Sequence, residues 1–214
     1  EPAEIFALSS RLQQLVVHAE VPAALANAIA EAYEALAVTI GSRPAVALRS
    51  SAVGEDSPEA SFAGQYATEL NIRPEHLVDA YRQVVASKYS PQAMQYRLQR
   101  GLRDDWLAMC VGCMAMVDAR AGGVAYTANP GDPTDRRVVI SAALGLPKAV
   151  VDGRFVADEF ILTHERPVRL VERHIASKHG RLTLDPAEGR GRRFAHAPGA
   201  QRCDLFEHRS FVAR

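Results

Sequence analysis

Apolar positions recur at helical spacing through the first 40 residues and then switch to strand-like spacing. Leu12, Leu15 and Val16 form one stripe, and Pro22 opens an alanine-rich segment, 21–38, with Leu25, Ile29, Ala32 and Leu36 on one face. Residues 41–44 carry the turn chemistry that ends this helical part. Residues 45–49 read as a buried strand whose last residue is Arg49, and 67–72 as a strand returning beside it. Pro74 suits a first helical position, and Leu77, Val78, Tyr81, Val84 and Val85 give the amphipathic helix that follows. Ser90-Pro91 opens another helix, which Gly101 ends. The run 107–117 is apolar on both faces, the pattern of a central strand. Beyond it, Gly122-Gly123 predicts a turn into 124–127, residues 129–133 a second turn and 137–142 a strand. A strand pair, 159–163 and 168–173, is expected around Glu165-Arg166-Pro167. The pattern predicts an α+β fold, helical on its N-terminal side and mostly antiparallel after residue 106.

Composition changes this picture little. The 214 residues are 48% hydrophobic and 23% charged, enough for one sizeable domain or two small lobes. Twenty-five basic residues balance twenty-five acidic ones, so net charge points neither to nucleic acid nor to an anionic membrane, and an anionic ligand must be held locally. No apolar run approaches the roughly 20 residues of a membrane span, and no basic-then-apolar leader is seen, so a soluble, cytoplasmic protein is expected. Three cysteines do not make a disulfide framework. Cys110 and Cys113 form a C-x-x-C inside the predicted buried strand, where residues three apart point to opposite faces and chelate poorly; no metal ligands are assigned. The basic run 189–193 reads as a solvated loop.

The candidate chemistry lies in the segment Arg-Ser-Ser-Ala-Val-Gly-Glu-Asp-Ser-Pro-Glu-Ala-Ser-Phe-Ala-Gly-Gln, 49–65. Small residues let backbone N–H groups approach anionic oxygens, hydroxyls add donors, and an arginine supplies a planar fork matched to phosphate. The same composition also suits a plain solvated loop.

Three blocks taken together are more specific: RSSAVGEDSPEASFAGQYATELNI at 49–72, GGVAYTANP at 122–130 and ALGLPKAVVDGRFVADEFIL at 143–162. In their order and over about residues 20–180 they resemble the nucleotide-binding domain of the phosphoenolpyruvate synthase and pyruvate phosphate dikinase family, the water-dikinase type above all. The resemblance implies an ATP-grasp fold of two lobes incomplete at both ends, with 1–117 as the first lobe and 118–214 as a second, truncated or divergent one. It implies that Arg49 contacts nucleotide phosphates, as the candidate catalytic residue, and that the loop with Ser50, Ser51, Ser61, Gly64 and Gln65 encloses them. It places adenine on Met114, Met116 and Val117, Met114 standing where the family usually carries Gln. Asp158-Glu159 resembles the family's Pro-Asp-Glu-Tyr segment and reads as a solvated acidic pair on a loop, with a role near Mg²⁺ or substrate as the alternative, and Lys178 has a family counterpart without an assigned role.

The implied cofactors are ATP and Mg²⁺. The family's phosphate-reaching lysine and its Mg²⁺ ligands are not found between residues 1 and 214, so the metal ligands are expected outside this stretch. The implied partners are ATP, a swivelling phosphohistidine domain and an acceptor domain of the same polypeptide, with no nucleic acid or membrane. In such a protein Mg-ATP phosphorylates a histidine and the phosphoryl group passes to pyruvate, giving AMP, phosphate and phosphoenolpyruvate. A rifamycin- or glucan-type phosphotransferase, and a non-catalytic nucleotide-binding module, are the alternatives.

Overall fold

The computed structural model describes residues 2–52, 56–57, 60–61, 65–132, 134–153, 155–178, 180–184 and 192–196. They fall into two compact units, residues 2–116 and residues 117–184 with 192–196.

The first unit runs α1 (Pro2–His18), α2 (Ala23–Ile40), β1 (Val46–Ala52), β2 (Asp56–Ser57), β3 (Ala60–Ser61), β4 (Thr68–Ile72), α3 (Leu77–Ala86), α4 (Pro91–Arg100) and β5 (Met109–Ala115). Local signals place the helix ends. Gly41 closes α2 with its N–H directed at the carbonyls of Ala37 and Val38. Pro74 starts a single 3-10 turn that leads into α3. Ser90 caps α4, its hydroxyl accepting from the Ala93 N–H at 3.2 Å, and Pro91 fills the first helical position.

β4, β1 and β5 form an antiparallel sheet in that order. One face of it is sealed by helices: Val46 and Leu48 of β1 and Ile72 of β4 are buried with Tyr33 and Ala37 of α2 and Leu77, Ala80 and Val84 of α3. Farther along, Ala52 is buried with Tyr66, Ala93 of α4 and Leu107. Burial of these side chains is the main stabilising contribution in this unit, at roughly 1.5–3 kcal/mol for each large one.

Two expectations are corrected here. The apolar strand is not central: among the described residues β5 pairs with β1 alone, and Cys110, Gly112, Cys113 and Met114 are exposed. An apolar run shows that both faces of a strand avoid charge, but not that both are covered. Arg49, in turn, does not end its strand. β1 continues to Ala52 because β5 pairs along its whole length, from Val46↔Ala115 to Ala52↔Met109, and the segment after it includes a short hairpin, Asp56↔Ser61 and Ser57↔Ala60.

α2 also departs from expectation, being 18 residues long and, by length and composition, apolar enough to cross a membrane. Its apolarity comes mostly from alanine, it carries Glu31 and Glu34, and Tyr33 and Ala37 pack into the core described above. Those are the marks of a packed amphipathic helix.

The second unit holds β6 (Ala121–Tyr126), β7 (Val138–Leu144), α5 (Lys148–Val151), β8 (Asp158–Leu162), β9 (Leu170–His174), β10 (Gly180–Leu184) and β11 (Arg192–His196). β6, β7, β8 and β9 form an antiparallel meander, and β10 pairs with β11. Gly122-Gly123 was expected as a turn but lies within β6, opposite Ala143 and Ala142. A Cβ at Gly123 would stand 2.0 Å from the Ser141 carbonyl oxygen, so the glycine answers to close backbone approach inside a strand. Gly145, at φ 83°, ends β7 in the left-handed region and passes within a bridge of Leu182. Part of the basic run expected as a loop, Arg192 and Arg193, begins β11.

Candidate functional site

Strand register decides which candidate residues share a face. Residues directly opposite in an antiparallel pair point the same way, and successive residues alternate. Ala47, Arg49 and Ser51 of β1 therefore share a face with Met114, Gly112 and Cys110 of β5, their respective partners, and Thr68 of β4 lies opposite Arg49 on the other side. Val46, Leu48 and Ala52 occupy the helix-covered face with Val111. On the opposite face Arg49, Ser51, Thr68, Cys110, Gly112 and Met114 are all exposed, Met114 at 54%.

Arg49 is the one cation of this group, and among the described residues it has no hydrogen-bond or ion-pair partner. Other arginines of the unit are engaged: Arg43 with Glu34 at 2.6 Å, Arg97 with the Lys88 carbonyl at 2.6 Å, Arg103 with Asp105 at 2.6 Å. An exposed guanidinium that the described residues leave without a partner, with small neighbours on both sides, has a donor fork that suits a planar or tetrahedral anion. Cys113, on the helix side of β5 opposite Leu48, is exposed as a residue, yet partial desolvation of its thiol pushes it above the usual range.

The predicted site residues thus divide. The structure brings Arg49, Ser51 and Met114 onto one face. It turns Ser50 to the other, in register with Val111. Ser61 is a residue of β3, Gln65 sits half-buried in the turn before β4, and Gly64 lies outside the described residues. The loop expected to enclose phosphates therefore does not begin at Ser50, since Ser50 and Ser51 are inside the β1–β5 ladder. Met116, just past β5, donates its N–H to the Ala45 carbonyl at 2.8 Å, and Val117, the first residue of the second unit, is 74% exposed. Thr68, Cys110 and Gly112 join the face through register alone, for which the sequence carries no signal.

In the second unit Asp158 was expected in a solvated acidic pair but is fully buried on β8. Its Oδ1 accepts from the Ala176 N–H at 2.9 Å and from Lys178 Nζ, while Lys178 also donates to the Ala176 carbonyl at 3.0 Å. Apolar flanks around an acidic residue, Ala157 and Phe160, were the signal that could have found this burial. Elsewhere, Asp135 accepts from Asn129, from the Arg137 backbone N–H and from the Arg137 guanidinium, at 2.6 Å from Nη2, and these hold its carboxyl far below the usual carboxylate range. Among the described residues no group of three or more His, Cys, Asp or Glu is gathered as a metal site.

Comparison with known proteins gives these features a context. The chain is 37% identical over 179 residues to a probable phosphoenolpyruvate synthase of Methanocaldococcus jannaschii, covering 83% of this chain and 15% of that protein. It is 33% identical over 187 residues to the phosphoenolpyruvate synthase of Aeropyrum pernix, covering 86% and 23% respectively. With the phosphoenolpyruvate synthase of Pseudomonas aeruginosa it shares 37% identity over 177 residues, 79% of this chain and 22% of that one. The chain thus spans less than a quarter of the length of these relatives. Residues 1–205 match the AMP/ATP-binding domain of pyruvate phosphate dikinase, and the chain belongs to that domain family, in its phosphoenolpyruvate synthase-like branch.

Proposed function

We propose that the chain binds ATP on the exposed face of the β4-β1-β5 sheet, as the nucleotide-binding part of a cytoplasmic, water-dikinase-type phosphotransferase of ATP-grasp architecture. Arg49 takes the phosphates, Met114 packs on the base, and Ser51 adds a hydroxyl on the phosphate side. Backbone groups near Met116 and Val117 read the purine edge, and Ser61, Gly64 and Gln65 contribute from the segment that follows β1. The observation that carries the reading is the exposed Arg49, without a partner among the described residues, in register with Gly112 and two residues along the strand from Met114.

Phosphoryl transfer asks a protein mainly for positioning and for charge neutralisation, and a guanidinium carried on a strand paired from both sides brings a positive charge to a set place on the sheet. The phosphoryl group would pass to a histidine on a separate swivelling domain and then to pyruvate, leaving AMP and phosphate. The relatives' names favour this over a rifamycin or glucan acceptor. The described residues do not by themselves fit a Mg²⁺ cage, so no step here is routed through the metal.

The test is Mg-ATP binding by the full translated reading frame, followed by calorimetry. Arg49→Ala is expected to weaken it at least tenfold with unchanged circular dichroism. Unchanged affinity would remove Arg49 from the site.

A further inference from the structure

Gly112 is the residue on this face that packing does not explain. Among the described residues a Cβ built there meets one atom within 4 Å, the Arg49 carbonyl oxygen at 3.9 Å, which is ordinary contact. Gly112 takes no positive φ. It sits mid-strand in full register, where glycine is the poorest choice for both backbone entropy and side-chain packing. The contrast with Gly123 is direct, since a side chain there collides with the neighbouring backbone. A glycine that neither conformation nor any atom of the described residues requires, on an exposed face, marks close approach by something else.

Its position says what approaches. Gly112 lies directly beside Arg49, and the Met114 row is two residues away, roughly 7 Å along the strand. A nucleotide with its base on Met114 and its first phosphates at Arg49 lays its sugar across that interval. We infer that Gly112 is a specificity-determining residue: its bare backbone is the strip of sheet on which the ribose of the bound nucleotide lies. The inference rests on the nucleotide reading above and adds to it the residue that admits the ligand.

A side chain at 112 would stand about 4.5–5.5 Å from the Arg49 Cβ, filling that strip, and its Cβ would make only ordinary contact with the described residues. The experiment compares Mg-ATP and inorganic tripolyphosphate binding by calorimetry on the full translated reading frame for wild type, Gly112→Val and Arg49→Ala, with thermal melts of each. Gly112→Val is expected to weaken Mg-ATP at least tenfold, to change tripolyphosphate binding less than threefold, and to leave the melting temperature the same or higher. Arg49→Ala is expected to weaken both ligands. If Arg49→Ala weakens Mg-ATP and Gly112→Val does not, the inference is wrong and the nucleotide reading stands. An equal loss of both ligands in Gly112→Val also overturns it, because the residue would then act on Arg49 and not on the sugar. If wild type binds neither ligand, or Arg49→Ala changes neither, the nucleotide reading fails and the inference fails with it.

Discussion

Lys178 reaches Asp158 where neither has water: the lysine side chain is 3% exposed and the aspartate 0%. Besides Lys178 and the Ala176 N–H, the carboxylate has no partner among the described residues, and its Oδ2 is buried without a hydrogen bond. The pair ties the segment after β9 to β8.

Removing one member should cost far more than removing both. Lys178→Met leaves an uncompensated buried carboxylate and is expected to destabilise the protein by about 3–5 kcal/mol. Adding Asp158→Leu to it should recover a large part of that loss. Urea denaturation of the two single variants and the double one measures the coupling. Additive losses would mean the two groups do not act as a pair.

Glycines of this chain should separate in their tolerance of a methyl group. Gly123→Ala forces a Cβ against the Ser141 carbonyl and is expected to cost about 1–3 kcal/mol. Gly112→Ala makes only ordinary contact with the described residues and should stay within about 0.5 kcal/mol of wild type. Thermal melts compared side by side decide this.

Arg49→Lys is expected to retain part of the charge interaction but lose the two-pronged geometry, so its nucleotide affinity should fall between wild type and Arg49→Ala. Titration with Mg-ATP checks the order. A lysine variant equal to wild type would mean that a point charge suffices.

The loop between β6 and β7 should keep its order well into acid. Asp135 has its folded pKa lowered, chiefly by the Arg137 side chain, then by the Arg137 backbone N–H and Asn129. A lowered value means the unfolded chain takes up the proton first. The stabilising contribution is therefore complete above the ordinary carboxylate value of about 3.9 and is lost as pH falls below it toward the folded value. A carboxyl carbon NMR titration should give Asp135 a midpoint below its reference. In Asp135→Asn the Arg137 side chain should lose its fixed position at neutral pH.

Local chemistry was the legible part of the fold. Pro22, Gly41, Ser90 and Gly101 each mark an end with a short-range mechanism, and the helices begin and stop beside them. Long-range pairing was not legible. The run around Cys110 looked like a central strand because both its faces are apolar, and only the observed pairing reveals an edge strand with one uncovered face. The site follows the same division. Arg49 stood out by residue type, whereas Gly112 and Thr68 reach it by register, which is set by tertiary packing. Asp158 was misplaced because an acidic doublet usually signals water, and the lysine that makes its burial affordable is 20 residues away.

The opposed cysteines of β5 give the sheet built-in sidedness for spectroscopy. Cys110 and Cys113 are both exposed free thiols, yet one stands across from Ser51 and the other across from Leu48. With Cys203 replaced, single-cysteine variants can each carry a small fluorophore, one reporting on either surface of the same strand. A ligand that quenches the Cys110 probe and leaves the Cys113 probe unchanged would be tracked to its side of the molecule without a crystal.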